Sequence, residues 1–331
     1  MRISVALAAF NGSKYLLEQL ESLENQSIFI DELIFCDDAS TDSTLDIVKS
    51  WATKSKINVA IFKNEKNLGY TANFYRALSL CNGDIVFICD QDDVWLPNKL
   101  KTVLQKHESD KEAKVVIHDL DYCDKNLERI GQRKLQRVID VLRMPVESGY
   151  VTGMATSISC AFLSLVLDGD EKNVFSYDRW IHEIAYRLGL KRIVPESLAL
   201  YRRHGEASTS DSIINYNNKL TKFVFFLSRL RNKNTFDINR KINQLIKINQ
   251  FLLRNKIQIV TDLGVTSENY NYALEMVQSE LSFFAKRKEI IASSLINSIR
   301  IYAESFIFTS NLKKHKYNIL SVIKDIVTLK G

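Results

Sequence analysis

The sequence has few of the residues that define several protein classes. Only 11 glycines and 3 prolines occur among its 331 residues, which excludes collagen-like chains and Pro/Gly-rich disordered chains. Its 5 cysteines are an odd number and none belongs to a C-x-x-C pair, so neither a disulfide framework nor a zinc ribbon is expected. We therefore expect a globular protein of the reducing cytoplasm.

Long apolar runs and Gly-rich phosphate loops are also missing. No apolar run approaches the roughly 18–20 residues that span a bilayer. Residues 3–10 are apolar, but the run is short, stops at Asn11-Gly12 and has no small-residue cleavage site after it. We therefore predict a buried strand there rather than a signal peptide. Because neither G-x-G-x-x-G nor G-x-x-x-x-G-K-[ST] occurs, a Rossmann dinucleotide site and a P-loop are not supported.

Charge is distributed unevenly along the chain. The formal net charge is +6, yet residues 213–331 carry 19 Lys+Arg against 8 Asp+Glu, while residues 1–212 carry 26 against 31. An acidic front part suits a site in which carboxylates hold a cation, and a basic back part suits an anionic surface such as phospholipid. Simple solvation of helix faces by Lys and Arg explains the basic excess equally well. The acidic front part argues against a nucleic-acid partner.

Apolar segments alternate with helical patterns in the first part of the chain. Strands are predicted at 3–8, 32–36, 58–62, 84–89 and 115–117, and helices at 14–25 (after Ser13 as N-cap), 43–54, 70–80 and from Pro97 onwards. This alternation predicts an α/β fold with a mostly parallel sheet flanked by helices. After residue 212 the strand pattern fades. Helices are predicted at 213–230, 239–255, 267–291 and 292–308, with 257–260 ambiguous.

Polar clusters follow three of the predicted strands, at Asn11, at Asp37-Asp38 and at 90–93 (DQDD). We expect them to converge, because such sheets bind ligands beyond the carboxyl ends of their strands. Carboxylates this close repel each other, and Mg²⁺ or Mn²⁺ shared with substrate phosphates removes the repulsion. Helix capping by Asp93 is the alternative, and the residues alone leave it open.

Four ordered motifs resemble those of family-2 glycosyltransferases of the GT-A fold. They are SVALAAFNG at 4–12, DDASTD at 37–42, NLG at 67–69 and DQDDVWLPNK at 90–99, the last being similar to a bacterial rhamnosyltransferase-like branch. Two later motifs, YDRW at 177–180 and YRRHG at 201–205, are similar to that branch's HDWW and YRxHG, although Tyr177 and Arg179 depart from it. The resemblance covers about residues 1–205.

The resemblance implies a GT-A domain at 1–212, divided into a nucleotide-binding half at 1–118 and an acceptor half at 119–212, before a basic helical region at 213–331. It implies inverting, metal-dependent hexosyl transfer from a nucleotide sugar to a cell-surface polysaccharide or lipid-linked acceptor. The first donor to consider is dTDP-rhamnose. A UDP-sugar, for galactosyl or N-acetylhexosaminyl transfer, is the alternative, and a non-catalytic nucleotide-sugar or glycan-binding module is the alternative of another class.

Site residues follow from the same resemblance. Asp178 is the implied catalytic base, and Asp92 and His204 are the implied ligands of Mg²⁺ or Mn²⁺. The implied nucleotide-sugar contacts are Ala8, Phe10, Asn11, Asp38, Asn67, Gly69, Asp90 and Gln91.

The basic helices towards the C-terminus leave two partners open. Clusters at 286–288 and 313–316 flank an apolar stretch that is too polar to span a bilayer. Such a pattern predicts either peripheral attachment to the anionic cytoplasmic face of a membrane or homo-oligomer formation through these helices.

Overall fold

The computed structural model describes residues 1–131, 133–137, 152–170, 174–204 and 235–292. The chain divides into two compact units, one of residues 1–207 with 255–270 and the other of residues 208–254 with 271–331. The predicted helix at 213–230, nearly all of the predicted helix at 292–308 and the predicted domain boundary at residue 212 lie outside the described residues.

The first unit is built on a mixed sheet of eight strands. These are β1 (Ile3–Ala9), β2 (Glu32–Asp37), β3 (Asn58–Lys63), β4 (Ile85–Cys89), β5 (Val94–Trp95), β6 (Val115–Cys123), β7 (Thr156–Ser159) and β8 (Lys191–Arg202). Their order across the sheet is β3-β2-β1-β4-β7-β6-β8-β5. The β3-β2-β1-β4 half is parallel and β6 pairs parallel with β8, whereas β7 and β5 pair antiparallel with their neighbours.

The central strands are apolar runs that are covered on both faces. Every residue of β1, β2 and β4 is buried, as expected for parallel strands with helices above and below the sheet. The apolar segment near the N-terminus is thus the central strand β1, and the predicted α/β fold is confirmed.

Ten helices are described. They are α1 (Leu16–Glu24), α2 (Thr44–Ala52), α3 (Tyr70–Ser79), α4 (Lys99–Ser109), α5 (Lys134–Arg137), α6 (Cys160–Leu167), α7 (Tyr177–Arg187), α8 (Thr235–Arg254), α9 (Lys256–Thr261) and α10 (Ser267–Ala292). The ambiguous segment at 257–260 is helical. Two helices begin later than predicted. Tyr15, not Ser13, is the N-cap of α1, and Pro97 precedes Asn98, the N-cap of α4.

The region after the sheet is helical in its described part, as predicted. Helix α8 belongs to the second unit, and most of α10 does as well. Within the described part of the chain, no helix is both long enough and apolar enough to cross a membrane. The basic cluster at 286–288 lies in α10, whereas the cluster at 313–316 is outside the described residues.

Candidate active site

The predicted polar clusters converge at the carboxyl ends of β1, β2 and β4. The Gln91 side chain pairs with the backbone of Phe10: Oε1 accepts from the Phe10 N–H at 2.8 Å, and Nε2 donates to its carbonyl at 3.1 Å. Asn11 joins the loop after β2, since its N–H donates to Ser40 Oγ at 2.9 Å and its Oδ1 accepts from the Thr41 N–H at 2.9 Å. Three separate motifs thus form one continuous edge.

Asp38 organises the end of this edge that the resemblance assigns to the nucleoside. Its Oδ1 accepts from Asn64 Nδ2 at 2.7 Å and from the Leu68 N–H at 2.8 Å, and its Oδ2 accepts from the Gly69 N–H at 2.9 Å. Asn67 Oδ1 also accepts from the Gly69 N–H, at 3.0 Å. A carboxylate has about four acceptor positions, so Asp38 Oδ2 retains room for one further donor.

Ala8 and Phe10 flank Asp38 in different ways. Ala8 is a buried residue of β1 that pairs with Cys36 of β2, near the carboxyl ends of both strands. Phe10 is the first residue after β1, and its ring is exposed. An exposed aromatic ring at this edge of the sheet is available to stack on a planar ligand.

Asp92 and His204, the two predicted metal ligands, are in contact although 112 residues separate them. His204 Nε2 lies 2.9 Å from Asp92 Oδ2. Among the described residues, no group of three or more His, Cys, Asp or Glu side chains could hold a metal ion. The Asp92 carboxylate is a ligand of the kind that Mg²⁺ and Mn²⁺ prefer, and such a cation would take most of its remaining ligands from phosphates and water, whereas an imidazole nitrogen such as that of His204 is a less usual ligand for Mg²⁺.

Arg202 fixes the loop that carries Asp92. Its Nε donates to the Asp92 carbonyl at 2.9 Å, its backbone N–H donates to Asp93 Oδ1 at 2.9 Å, and its Nη1 donates to the Lys125 carbonyl at 2.6 Å. The remaining nitrogen, Nη2, forms an ion pair with Glu18 of α1. The Arg202 side chain is only 1% exposed, and its guanidinium holds this loop in place.

Tyr15 packs against His204, the other predicted metal ligand. The ring centroid of Tyr15 is 4.8 Å from that of His204, and the Arg202 guanidinium lies 4.4 Å from the Tyr15 ring. Sequence reasoning missed both Tyr15 and Arg202 as site residues. For Arg202 a signal existed, because it belongs to the YRRHG motif, whereas Tyr15 occupies an unremarkable position before a helix.

The carboxylates of the acidic loop at 90–93 repel one another. Burial, with the charges of Asp92 and Asp178, raises the pKa of Asp90 to about 7. Burial, with the charges of Asp92 and Asp90, raises the pKa of Asp93 well above its usual range. Asp178 therefore lies near enough to interact with the acidic loop, and a cation beside Asp92 would relieve this repulsion.

Asp178 lies in the first turn of α7. Its Oδ1 accepts from Ser176 Oγ at 2.6 Å and from the Arg179 N–H at 2.7 Å. Ser176 is the N-cap residue, so Asp178 is a helical residue whose carboxylate turns back over the helix start. Arg179 pairs with Glu183 one turn later on the same helix.

The fold is that of GT-A glycosyltransferases. The crystal structure of S. aureus TarS residues 1–349 in complex with UDP is similar to this chain with a TM-score of 0.51 and 16% identity, covering 85% of this chain and 92% of TarS 1–349. The corresponding complex with UDP-GlcNAc has a TM-score of 0.50. At this identity the similarity establishes the fold and nothing finer.

Residues 4–163, just under half of the chain, match the model of glycosyl transferase family 2. An uncharacterized glycosyltransferase of Nostoc sp. is 27% identical over 62% of this chain and 66% of its own length. The putative glycosyltransferase EpsE of Bacillus subtilis is 36% identical over 32% of this chain and 39% of its own length. The abequosyltransferase RfbV of Salmonella typhimurium is 33% identical over 36% of each chain. These matches span two thirds or less of the relatives.

Proposed function

We propose that the protein is an inverting glycosyltransferase that binds a nucleotide-sugar donor together with Mg²⁺ or Mn²⁺. The observation that carries this proposal is the contact between Asp92 Oδ2 and His204 Nε2, at 2.9 Å. Besides burial and the charge of Asp92, the negative charge of Asp178 raises the pKa of Asp90 in the same acidic loop. The contact between Asp92 and His204 supports a shared cation, and the charge of Asp178, which acts on the same loop, supports a base nearby.

The donor would lie along this edge. Its nucleoside would contact Phe10, Asp38 and Gly69, and its diphosphate would face Asp92 and His204. The relatives act on different sugars by name, since one is an abequosyltransferase and another a chondroitin synthase. We take dTDP-rhamnose as the first donor to test and UDP-sugars as the second group.

The chain's own residues divide the reaction between them. Asp92 and His204 would hold the cation, which supplies positive charge that stabilises the departing nucleoside diphosphate. Asp178 would accept the proton of the acceptor hydroxyl as its oxygen bonds to the anomeric carbon. The bond from the anomeric carbon to the phosphate oxygen breaks at the same time, and its electron pair leaves with the diphosphate. A single displacement of this kind inverts the anomeric configuration.

A donor screen tests the proposal. The full chain is incubated with Mg²⁺ or Mn²⁺ and a panel of dTDP-, UDP- and GDP-sugars, and thermal stabilisation and nucleoside diphosphate release are followed. We expect one donor to stabilise the protein in a metal-dependent manner and to release its diphosphate. Metal-dependent donor binding without any release would support a non-catalytic binding module instead, and no response to any donor would refute the proposal.

Substitution of the base then separates binding from chemistry. Asp178→Asn should leave donor binding near that of the wild type while turnover falls by about 10²–10⁴-fold, the usual contribution of a general base. Asp46→Asn is the matched control, because Asp46 is also an acidic residue in the first turn of a helix, α2, and is exposed. Turnover that survives in Asp178→Asn would remove Asp178 from the mechanism.

We also propose that the acceptor is presented at an anionic membrane surface. The observation that favours it is the basic cluster at 286–288 in α10, of which Lys288 is exposed. Co-sedimentation with vesicles containing anionic phospholipid should retain the protein at low salt and release it at high salt. Absence of binding, with self-association in solution, would favour an oligomer through these helices.

A further inference from the structure

Four aromatic side chains join α3 to α7. The Tyr177 ring stacks on Phe74 with centroids 4.2 Å apart, and the rings of Tyr70 and Tyr75 meet it edge-on at 6.5 Å. Tyr177 is 4% exposed, whereas Tyr70 is 57% exposed. The cluster therefore presents one accessible ring, that of Tyr70, which packs against more buried aromatic rings.

This accessible ring lies between the two ends of the candidate site. Tyr70 directly follows Gly69, whose N–H donates to Asp38 at the nucleoside end. Tyr177 directly precedes Asp178, and the charges of Asp90 and Asp178 both act on its hydroxyl. The Tyr70 ring thus contacts the residue that directly precedes the carboxylate we assign as the base.

Tyr177 is held in one position by a loop at 152–156. A β-carbon added to Gly153 would lie 2.0 Å from the Tyr177 hydroxyl oxygen, so the ring closes directly onto the glycine. The loop itself is fixed, because the buried Lys99 Nζ donates to the Met154 carbonyl at 2.7 Å and Thr156 Oγ1 donates to the Thr152 carbonyl at 2.6 Å. The buried aromatic rings beneath Tyr70 are thus held in place, and a rigid support suits the recognition of a ligand.

We propose that Tyr70 and Tyr177 form the subsite for the sugar ring of the acceptor, with the exposed face of Tyr70 as its stacking platform. A sugar ring has an apolar face of C–H groups and a rim of hydroxyls, so an aromatic face beside a carboxylate is complementary to both. Gly69, which precedes Tyr70, is assigned to the donor, but the Tyr70 ring itself meets Tyr177, the residue before Asp178, and we assign this ring to the acceptor. The subsite rests on the proposed function, since it requires Asp178 to be the base that accepts the proton of the acceptor hydroxyl.

The proposal is tested by saturation-transfer NMR. The full chain is loaded with Mg²⁺ and whichever of UDP, dTDP and GDP stabilises it most, and methyl glycosides of glucose, galactose, N-acetylglucosamine and rhamnose are added. We expect at least one glycoside to bind. Tyr70→Ala should weaken that binding by about tenfold, whereas Tyr70→Phe should keep it within about twofold, since the stacking face remains. The control Tyr272→Ala removes another exposed tyrosine, 49% accessible, and should have no effect.

The outcomes are distinguishable from those of the proposed function. If the nucleoside diphosphate binds but no glycoside does, or if Tyr70→Ala leaves glycoside binding unchanged, the subsite is refuted while the transferase assignment stands. If Tyr70→Ala weakens nucleoside diphosphate binding as much as glycoside binding, Tyr70 belongs to the donor site and the proposal is wrong. If no nucleoside diphosphate binds, the proposed function fails, and the subsite fails with it.

Discussion

Arg202 Nε donates a hydrogen bond to the backbone carbonyl of Asp92, the residue whose carboxylate contacts His204. One buried guanidinium thus ties the loop after β4 to the strand that leads into the YRRHG motif. Groups that orient metal ligands commonly affect metal affinity by 10–100-fold when they are removed, although they do not touch the ion. Arg202 has the position of such a group.

Arg202→Met should therefore weaken Mn²⁺ binding to the substrate-free protein by about 10–100-fold. Electron paramagnetic resonance of free Mn²⁺ measures this binding directly, without reference to activity. We further expect saturating Mn²⁺ to restore part of the lost turnover, since the proposed ligands Asp92 and His204 remain in the chain. A variant that binds Mn²⁺ as the wild type does would contradict the assigned role.

Arg192→Met is the control for simple loss of stability. Arg192 also belongs to β8 and bonds Asp110, Glu112 and the Gly189 carbonyl. It lies on the part of β8 that pairs with Val116, near the start of the strand, whereas Arg202 is at its end. Both variants are expected to melt at lower temperature, but only Arg202→Met should lose metal affinity.

The contact between Gly153 and Tyr177 predicts a measurable coupling. Gly153→Ala should lower the free energy of unfolding by about 1–3 kcal/mol, because the new β-carbon overlaps the Tyr177 hydroxyl. In a Tyr177→Phe background the nearest remaining ring atom is 2.9 Å away, so the same change should be milder. Denaturant unfolding of the four proteins gives the coupling energy, and additive effects would show that the two residues do not meet.

Gly69→Ala gives a second glycine prediction with a different cause. Gly69 has φ +84° and no atom within 4 Å of an added β-carbon, so only backbone strain opposes the substitution. Because φ +84° with ψ 154° is a conformation that only glycine adopts readily, we expect a loss of about 1–3 kcal/mol in the free energy of unfolding, and this loss should add to that of Tyr177→Phe without coupling. A much larger loss would mean that the hydrogen bond from Gly69 to Asp38 had broken as well.

The parallel half of the sheet could be predicted because its strands are short apolar runs that end in polar clusters. The second half of β6 could not, since Asp119 and Asp121 interrupt the apolar pattern after Ile117. Asp121 is tolerated there because Arg129 and Arg133 pair with it, at 3.0 and 3.1 Å. Such compensation comes from residues distant in the pattern, so periodicity alone does not show it.

The candidate site divides in the same way. Asp92 and His204 were found because each lies in a motif of its own, and the structure brings the two together. Tyr15 was not found, because its importance comes from what the fold places against it. A glycine in a sequence does not show whether it is required for its φ, as at Gly69, or for the space that its missing side chain leaves.

The buried His107 of α4 predicts the acid side of the stability profile. Its Nδ1 donates to the Ala113 carbonyl at 2.7 Å, and its Nε2 lies 2.8 Å from Ser157 Oγ. Burial lowers the pKa of His107 to about 4, with a further contribution from the charge of Lys114, although the bond to Ala113 acts in the opposite direction. In the unfolded chain the imidazole titrates near pH 6.5.

Between these two pKa values the unfolded chain binds a proton that the folded chain does not, so stability falls as the pH decreases from about 6.5 to about 4. The full effect is about 3 kcal/mol, at ~1.4 kcal/mol for each pH unit between the two pKa values. His107→Gln should lose less stability than the wild type over this range, whatever its stability at pH 7. Ser157→Ala keeps the imidazole and should keep the wild-type slope. Denaturant unfolding at intervals from pH 7.5 to 4.5 measures all three, and parallel curves for His107→Gln and the wild type would show that His107 is not the group that titrates.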